Sequence, residues 1–333
     1  MPISANTRQR GFSLIELMIG ITIALMGLAA VGQVMMTFST KRNAITQTSA
    51  AQDNGVMALY RMEKEISQAG YGLLAEASLP TLQSCATVTD GANSFSPIPV
   101  RITDGGTDSD EITAVYSYST TGLPGTELSA VGGYTMTTSQ YNVRSNVGFA
   151  VGDKVVSTLN CTATTVTDVS TATAIGFTPA LSASTNSGFV VNLGPTGLVG
   201  RHFAVTSGAL TMGEYPAYTA NNLVDEIVYL KAQYGLAAST TGNVVTSWVD
   251  GVTAIDSTNV GRVIALRVGV IARSALRESG VIEQPATQTV LPAVSDSGGT
   301  TIGAAVSYTV PDTRYRYRAY NTMIPLKNVI WTR

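Results

Sequence analysis

The first long pattern along the chain is an apolar segment that runs from Phe12 to Phe38. Within it, the residues that are neither apolar nor small are Ser13, Glu16, Thr22, Gln33 and Thr37. As an α-helix the segment would be about 40 Å long, and about 20 such residues span the hydrocarbon core of a bilayer. The pattern therefore predicts a membrane-spanning helix over residues 12–38.

The next segment, residues 39–72, keeps a helical pattern but becomes polar. No proline occurs before Pro80, so nothing interrupts the helix early. Gly70 and Gly72 then supply the glycine that is common just after a helix end. We predict an amphipathic helix that packs on a globular domain through one apolar face, formed by Ile45, Val56, Leu59, Met62, Ile66 and Ala69.

From residue 73 onward, β-strand patterns replace helical periodicity. Segments rich in β-branched and aromatic residues predict strands at residues 111–118, 153–159, 162–169 and 263–272. We expect the second and third of these strands to pair with each other. A further edge strand at residues 308–310 would stop at Pro311, because proline cannot donate to a sheet ladder.

The remaining stretches decide the fold class. Residues 119–134 and 292–305 contain the glycine and serine that are typical of loops. We therefore expect an α+β fold, in which the long N-terminal helix packs on a head domain rich in antiparallel β-sheet, residues 73–333.

Charges before the apolar segment predict its orientation in a membrane. Arg8 and Arg10 precede it with no acid nearby, so the N-terminal tail should stay in the cytoplasm and the head should lie in the periplasm. A cleavable signal peptide is the alternative, but its apolar part would be about 7 to 15 residues long. Residues 28–30 are also a poor cleavage site, so we expect a single-pass inner-membrane anchor.

Glu16 is the only charged residue in the apolar segment. A carboxylate in a membrane helix costs about 2.5 to 3.5 kcal/mol, which makes it a functional candidate. Cleavage between Gly11 and Phe12 would create an α-amino group four residues before it. That amine could neutralise Glu16 in the same helix or in a neighbouring one.

The contiguous stretch from Gly11 to Leu17, GFSLIEL, resembles the class III signal of type IV prepilins and type II secretion pseudopilins. In that family, prepilin peptidase cuts after the glycine and methylates the new N-terminal phenylalanine. The family's glutamate takes part in pairing between subunits during filament assembly. The resemblance therefore implies a type IV pilin-like fold. It also implies that residues 1–11 are a leader peptide, that Phe12 is N-methylated, and that Glu16 serves assembly.

Several later segments resemble the PilW family of minor pilins, in the same order along the chain: residues 59–72, 152–161, 223–235, 263–274 and 315–331. This resemblance implies a minor pilin that assembles into, primes or caps a type IV pilus, the fimbrium that serves twitching motility and cell adhesion. The partners it implies are the prepilin peptidase, other minor pilins, the major pilin, the inner-membrane assembly platform and a tip adhesin.

Two alternative functions stay open at this point. A type II secretion pseudopilin would have the same leader and the same helix. A membrane-tethered periplasmic binding or adhesive protein would keep residues 1–11 and never enter a filament.

The composition agrees with export. Only 13% of the 333 residues are charged, against about 25% in ordinary soluble domains. A net charge of −2 does not indicate binding to nucleic acid. The two cysteines, Cys85 and Cys161, are too few for a zinc motif. In an oxidising periplasm they favour one disulfide, although two buried thiols remain the alternative.

Other polar clusters give no case for an enzyme, a metal site or a cofactor. The acidic run with Asp104, Asp108, Asp110 and Glu111 departs from the spacing of an EF-hand and runs into a strand, which favours a solvated turn over calcium. Residues 313–318, TRYRYR, alternate like a strand with arginines on one face. The single histidine, His202, has no nearby nucleophile motif, so we expect it to be structural or on the surface.

Overall fold

The computed structural model describes residues 13–73, 82–119, 125–253, 255–256 and 259–331. It begins with helix α1 (Leu14–Ile66) and ends with the short helix α2 (Lys327–Trp331). The 3-10 helices Leu82–Ser84 and Val260–Arg262 lie between them. Two compact units divide the chain between Ala50 and Ala51, and the second contains all the strands.

The strands, in chain order, are β1 (Val88–Asp90), β2 (Asn93–Phe95), β3 (Val100–Thr103), β4 (Glu111–Ser117), β5 (Gly125–Glu127), β6 (Gln140–Asn142), β7 (Lys154–Ser157), β8 (Ala163–Asp168), β9 (Ala174–Thr178), β10 (Phe189–Gly194), β11 (Leu198–Thr206), β12 (Ala209–Glu214), β13 (Asn221–Asp225), β14 (Ile227–Ala237), β15 (Val245–Val249), β16 (Val263–Arg273), β17 (Thr287–Leu291), β18 (Val294–Ser295), β19 (Thr301–Gly303), β20 (Val306–Thr309) and β21 (Tyr317–Pro325).

These strands form three larger sheets rather than the one sheet that the sequence suggested. One sheet has the order β5-β10-β7-β8-β9-β6, the next β13-β12-β11-β4-β3, and the third β15-β14-β16-β21. The pairs β1-β2, β17-β20 and β18-β19 are separate hairpin-like ribbons. All of these strand pairs are antiparallel, so the expected fold class, a long N-terminal helix followed by an antiparallel β-rich head, is confirmed.

The strand predictions are correct where the sequence pattern is strong. β4, β7, β8 and β16 lie at the four predicted places, and β7 pairs with β8 as expected. β20 ends at Thr309, just before the predicted stop, and pairs with β17 in a two-stranded ribbon.

Three predictions about the less regular stretches are wrong. The predicted loop at residues 119–134 contains β5, and the predicted loop at residues 292–305 contains β18 and β19. In the run 313–318 only Tyr317 and Arg318 belong to a strand, because residues 313–315 form a turn or bend instead. β5 pairs with β10, which lies far away in sequence, so local composition did not reveal it. β18 and β19 pair with each other across a short turn inside the predicted loop.

The helix residues from Ala51 onward pack on the head through a face of small and apolar side chains. Its fully buried members have helical spacing: Ala51, Gly55, Ala58, Met62 and Ile66. They join one core with residues of the five-stranded and four-stranded sheets. The predicted face is therefore right for Met62 and Ile66 and wrong for Val56, which is 57% exposed. The predicted member Ile45 is exposed as well.

Gly55 explains why this face uses small residues. A Cβ atom on Gly55 would lie 2.2 Å from Cδ2 of Tyr320 in β21, well inside van der Waals contact. The absence of a side chain therefore lets the tyrosine ring lie directly against the helix backbone.

Polar contacts fix the end of α1 to the five-stranded sheet. Tyr116 of β4 donates to Glu65 Oε2 at 2.7 Å, and Arg201 of β11 lies 3.2 Å from the same oxygen. Burial, reinforced by the Glu65 carboxylate, raises the pKa of Tyr116 to about 12, so the phenol remains a donor at neutral pH. Past the helix end, Gly70 adopts a φ of 82° and donates its N–H to Val115 O.

Candidate assembly site

The apolar part of α1 presents its side chains to the surroundings on every side. Leu14, Met26 and Phe38 are 78%, 73% and 70% exposed. The most apolar window of the helix has none of its residues buried inside the protein, and by length and composition it is able to cross a membrane. An exposed apolar surface of this size requires lipid or other protein as its surroundings.

The hydroxyl groups in this segment are satisfied within the helix. Thr22 Oγ1 donates to the carbonyl oxygens of Met18 and Ile19 at 3.0 and 2.9 Å. Thr37 Oγ1 donates to Gln33 O at 2.9 Å. These internal hydrogen bonds lower the cost of placing threonine in an apolar environment.

Glu16 lies in the first turn of α1, where Ser13 O accepts the N–H of Leu17 at 3.1 Å. The positive end of the helix dipole favours a carboxylate at this position. Glu16 makes no ion pair and no side-chain hydrogen bond with any residue that the structure describes. It is thus a charge without a partner on an apolar surface.

The other residues of the predicted processing site fall outside the described part of the chain. Gly11 and Phe12, at the expected cleavage and methylation point, are not among the described residues, and neither is the rest of the leader at residues 1–11.

In the head, Cys85 and Cys161 form a disulfide with their Cα atoms 5.6 Å apart. Cys85 follows the first 3-10 helix, and Cys161 lies between β7 and β8. The bond therefore joins the six-stranded sheet to the segment that precedes β1, across a sequence separation of 76 residues.

The acidic run before β4 is only in part the solvated turn that we expected. Asp110 is 1% exposed and accepts hydrogen bonds from Lys231 Nζ at 2.6 Å and from the N–H groups of Gly105 and Ala232. Burial raises the pKa of Asp110, and the hydrogen bond from Lys231 opposes that rise. No group of metal-ligating side chains occurs within the described residues. The cluster therefore anchors β14 to the turn.

A second buried polar centre, Arg267 of β16, was not predicted from the sequence. This side chain is bound to Gln233 Oε1 and donates to the carbonyl oxygens of Pro292 and Ala304 at 2.7 Å. It also lies over the ring of Trp248, 5.3 Å from the centroid. Arg267 thus holds the β18-β19 ribbon on the four-stranded sheet, and an arginine inside a buried strand pattern was the available signal.

The remaining candidates have structural contacts. Arg316 Nε donates to Glu278 Oε1 at 2.6 Å, and Tyr315 stacks under the guanidinium of Arg273. His202 Nδ1 lies 3.0 Å from Thr113 Oγ1 on the neighbouring strand.

Two protein families match this chain in separate segments. Residues 199–328 match the family described as Type IV Pilus-assembly protein W, and residues 6–32 match the Prokaryotic N-terminal methylation motif. The first match covers β12 to β21 completely and all of β11 except Leu198, and the second includes Glu16 and the first turns of α1. No curated protein matches the chain in sequence.

Among solved structures, a type IV-like pilin from Thermus thermophilus is similar, with a TM-score of 0.40 and 12% identity. The alignment covers 84% of this chain and 97% of that pilin. The two sequence matches lie in different parts of the chain, one at the apolar helix and one in the head. The chain is thus similar to the PilW family over residues 199–328 and carries an N-terminal methylation motif at residues 6–32, and the matched family is structural rather than enzymatic.

Proposed function

We propose that this protein is a minor pilin that assembles into, primes or caps a type IV pilus, after cleavage behind Gly11 and N-methylation of Phe12. One observation carries the proposal: the helix from Leu14 to Phe38 is apolar and exposed on all sides, and its single charge, Glu16, has no partner among the described residues. The matches to the methylation motif and to the PilW family support the same function.

The mechanism that follows is physical. Before assembly, the helix lies in the inner membrane with the head in the periplasm, and lipid surrounds its apolar side chains. In the filament, equivalent helices of other pilins replace the lipid. Glu16 then pairs with the methylated amine of an adjacent Phe12, because only a partner offsets the cost of a carboxylate in apolar surroundings.

The partners follow from this mechanism. Prepilin peptidase acts on the bond between Gly11 and Phe12, and the inner-membrane platform extracts the helix from the lipid. Other minor pilins and the major pilin bury the helix surface. A tip adhesin is the further partner that a capping position implies, and adhesion and twitching motility are the cellular functions of the pilus that this subunit would serve.

Replacing Glu16 by alanine tests the central step. We expect Glu16→Ala to be cleaved normally and to fall by about tenfold or more in sheared filaments, since a lost charged pair of about 1.4 kcal/mol corresponds to that factor. Glu63→Ala is the matched control, because Glu63 is an exposed glutamate of the same helix. Equal incorporation of both variants would contradict the pairing role of Glu16.

A clean deletion separates the pilus function from the two alternatives. Loss of surface pili with secretion of folded exoproteins preserved is the expected result. Loss of secretion with pili intact would assign the protein to a type II secretion system as a pseudopilin. Normal pili and normal secretion, with residues 1–11 retained on the mature protein, would indicate a tethered periplasmic binding or adhesive protein.

A further inference from the structure

The four-stranded sheet ends in a long edge strand, β21. The other edge strands of the three larger sheets, β3, β5, β6, β13 and β15, contain three to five residues, whereas β21 contains nine. A long edge strand presents backbone donors and acceptors in a regular row, which another extended chain can pair with.

Two hydrogen bonds, one just beyond each end of β21, show which of its residues have backbone groups that point away from the sheet. Leu326 N–H donates to Ile264 O, and Ser274 N–H donates to Arg316 O, both at 2.9 Å. Because bonded and non-bonded pairs alternate along an antiparallel ladder, the even-numbered residues of β21 bond to β16. The backbone groups of the odd-numbered residues therefore point away from the sheet.

Both ends of this outward row are closed. At the start, the side-chain amide of Gln284 imitates a neighbouring strand: its Oε1 accepts the N–H of Tyr317, and its Nε2 donates to Tyr315 O at 2.6 Å. At the other end, Pro325 has no N–H to offer.

Between these ends lies an open window, residues 319–323. The outward residues Ala319, Asn321 and Met323 form no hydrogen bond with another residue in the part of the chain that the structure describes. Asn321 is exposed, and Met323 is 59% exposed. The nearby strand β17 does not close the window, since Val290 lies over Gly269 on the face of the sheet and β17 pairs with β20.

The surroundings of the window indicate what kind of segment fits. Met323 offers an apolar contact beside the outward backbone. Arg318, at the start of the window, has no ion pair among the described residues and lines a polar cleft together with Arg316, Gln288 and Glu283. An incoming strand that carries an acidic residue at this end would complement the unpaired guanidinium of Arg318.

We propose that the open edge of β21 is a docking site for an extended segment of another polypeptide, which pairs with residues 319–323 and places an acidic side chain near Arg318. Main-chain hydrogen bonds would supply the affinity, and the Arg318 cleft with Met323 would supply the selectivity. This inference concerns the head alone, so it stands apart from the burial of α1 in a filament.

The test uses the full chain in detergent and a displayed library of short random peptides. We expect enriched peptides to be rich in strand-forming residues with an acid towards one end. Asn321→Pro removes an outward N–H and should weaken their binding by about tenfold or more, while Asn321→Ala, which keeps the backbone donor, should leave it unchanged.

A second measurement does not depend on how the proline variant folds. Methylating alternate backbone nitrogens of an enriched peptide should abolish binding in one register and spare it in the other. Absence of enriched peptides, equal binding to Asn321→Pro in a folded state, or insensitivity to both methylation patterns would overturn the proposal. So would dimerisation of the full chain that Asn321→Pro abolishes, because the edge would then belong to a second copy.

Discussion

The two parts of helix α1 have the same secondary structure and opposite surroundings. In residues 14–38 the large apolar side chains are more than half exposed, with Met26 at 73%. In residues 51–66 the equivalent side chains on one face are buried, and Met62 has no exposed surface at all. The comparison teaches that the second part takes its stability from its own head, whereas the first needs apolar surroundings from outside the chain.

The glycine and glutamate residues of the two parts of α1 differ in their surroundings in the same way. Nothing lies within 4 Å of a Cβ placed on Gly27, but a Cβ on Gly55 would meet the ring of Tyr320. Glu65 has both a phenol donor and a guanidinium partner, but Glu16 has neither within the described residues. Matched substitutions in the two parts therefore separate folding of the head from assembly.

The methionine pair gives the largest expected difference. Met62→Ala should lower the free energy of unfolding of the head by about 2 to 5 kcal/mol, since it leaves a cavity in the main core. Met26→Ala should change it by less than about 0.5 kcal/mol, because the Met26 side chain is 73% exposed. Urea titration of the full chain in detergent, followed by tryptophan fluorescence, measures both. Equal losses would show that the two parts are not physically distinct.

The glycine pair should change the free energy of unfolding of the head by a smaller amount. The direction of that change shows whether the Tyr320 ring resists a side chain at position 55. Alanine favours a helix over glycine by up to about 1 kcal/mol, yet the clash with Tyr320 costs about 1 to 3 kcal/mol. We therefore expect Gly55→Ala to destabilise the head by about 1 kcal/mol net, while Gly27→Ala leaves it unchanged. The same urea titration applies. A stabilised Gly55→Ala head would mean that the ring moves aside without cost.

The glutamate pair should give an effect on the head no larger than that of the glycine pair. Glu65→Gln removes the charge that Arg201 faces and weakens the bond from Tyr116, so we expect a loss of about 1 kcal/mol. Glu16→Gln should leave the unfolding of the head unaltered. Thermal unfolding of the two variants, compared with the unchanged chain, is the measurement. A clear loss of head stability in Glu16→Gln would indicate a contact that its exposed position does not provide.

Features that depend on neighbours along the chain could be predicted from the sequence. The apolar helix, the single carboxylate at Glu16 and the strong strand at residues 263–272 follow from periodicity and composition, since a helix or a buried strand imposes its own repeat on the residues. The segment resemblance to the PilW family likewise required no fold, and the match over residues 199–328 agrees with it.

Features that depend on residues far away in sequence could not be predicted from the sequence. Val56 looked like a core residue, but the sheet that α1 packs against selects Ala51 and Gly55 instead. Asp110 looked solvated until β14 brought Lys231 to it. β18 and β19 were predicted as a loop because Arg267, which binds the carbonyl oxygens of Pro292 and Ala304 beside them, lies more than 20 residues away in sequence.

The sequence by itself thus determined that this protein has an apolar N-terminal helix with one charge, a polar segment before it and a β-rich head after it. Only the tertiary structure decided which helix face is buried, how three sheets divide the head, and which strand edge stays open. The physical reason is that hydrophobic periodicity is a local property of the chain, whereas packing against a sheet, ion pairing and strand order depend on which distant segments meet.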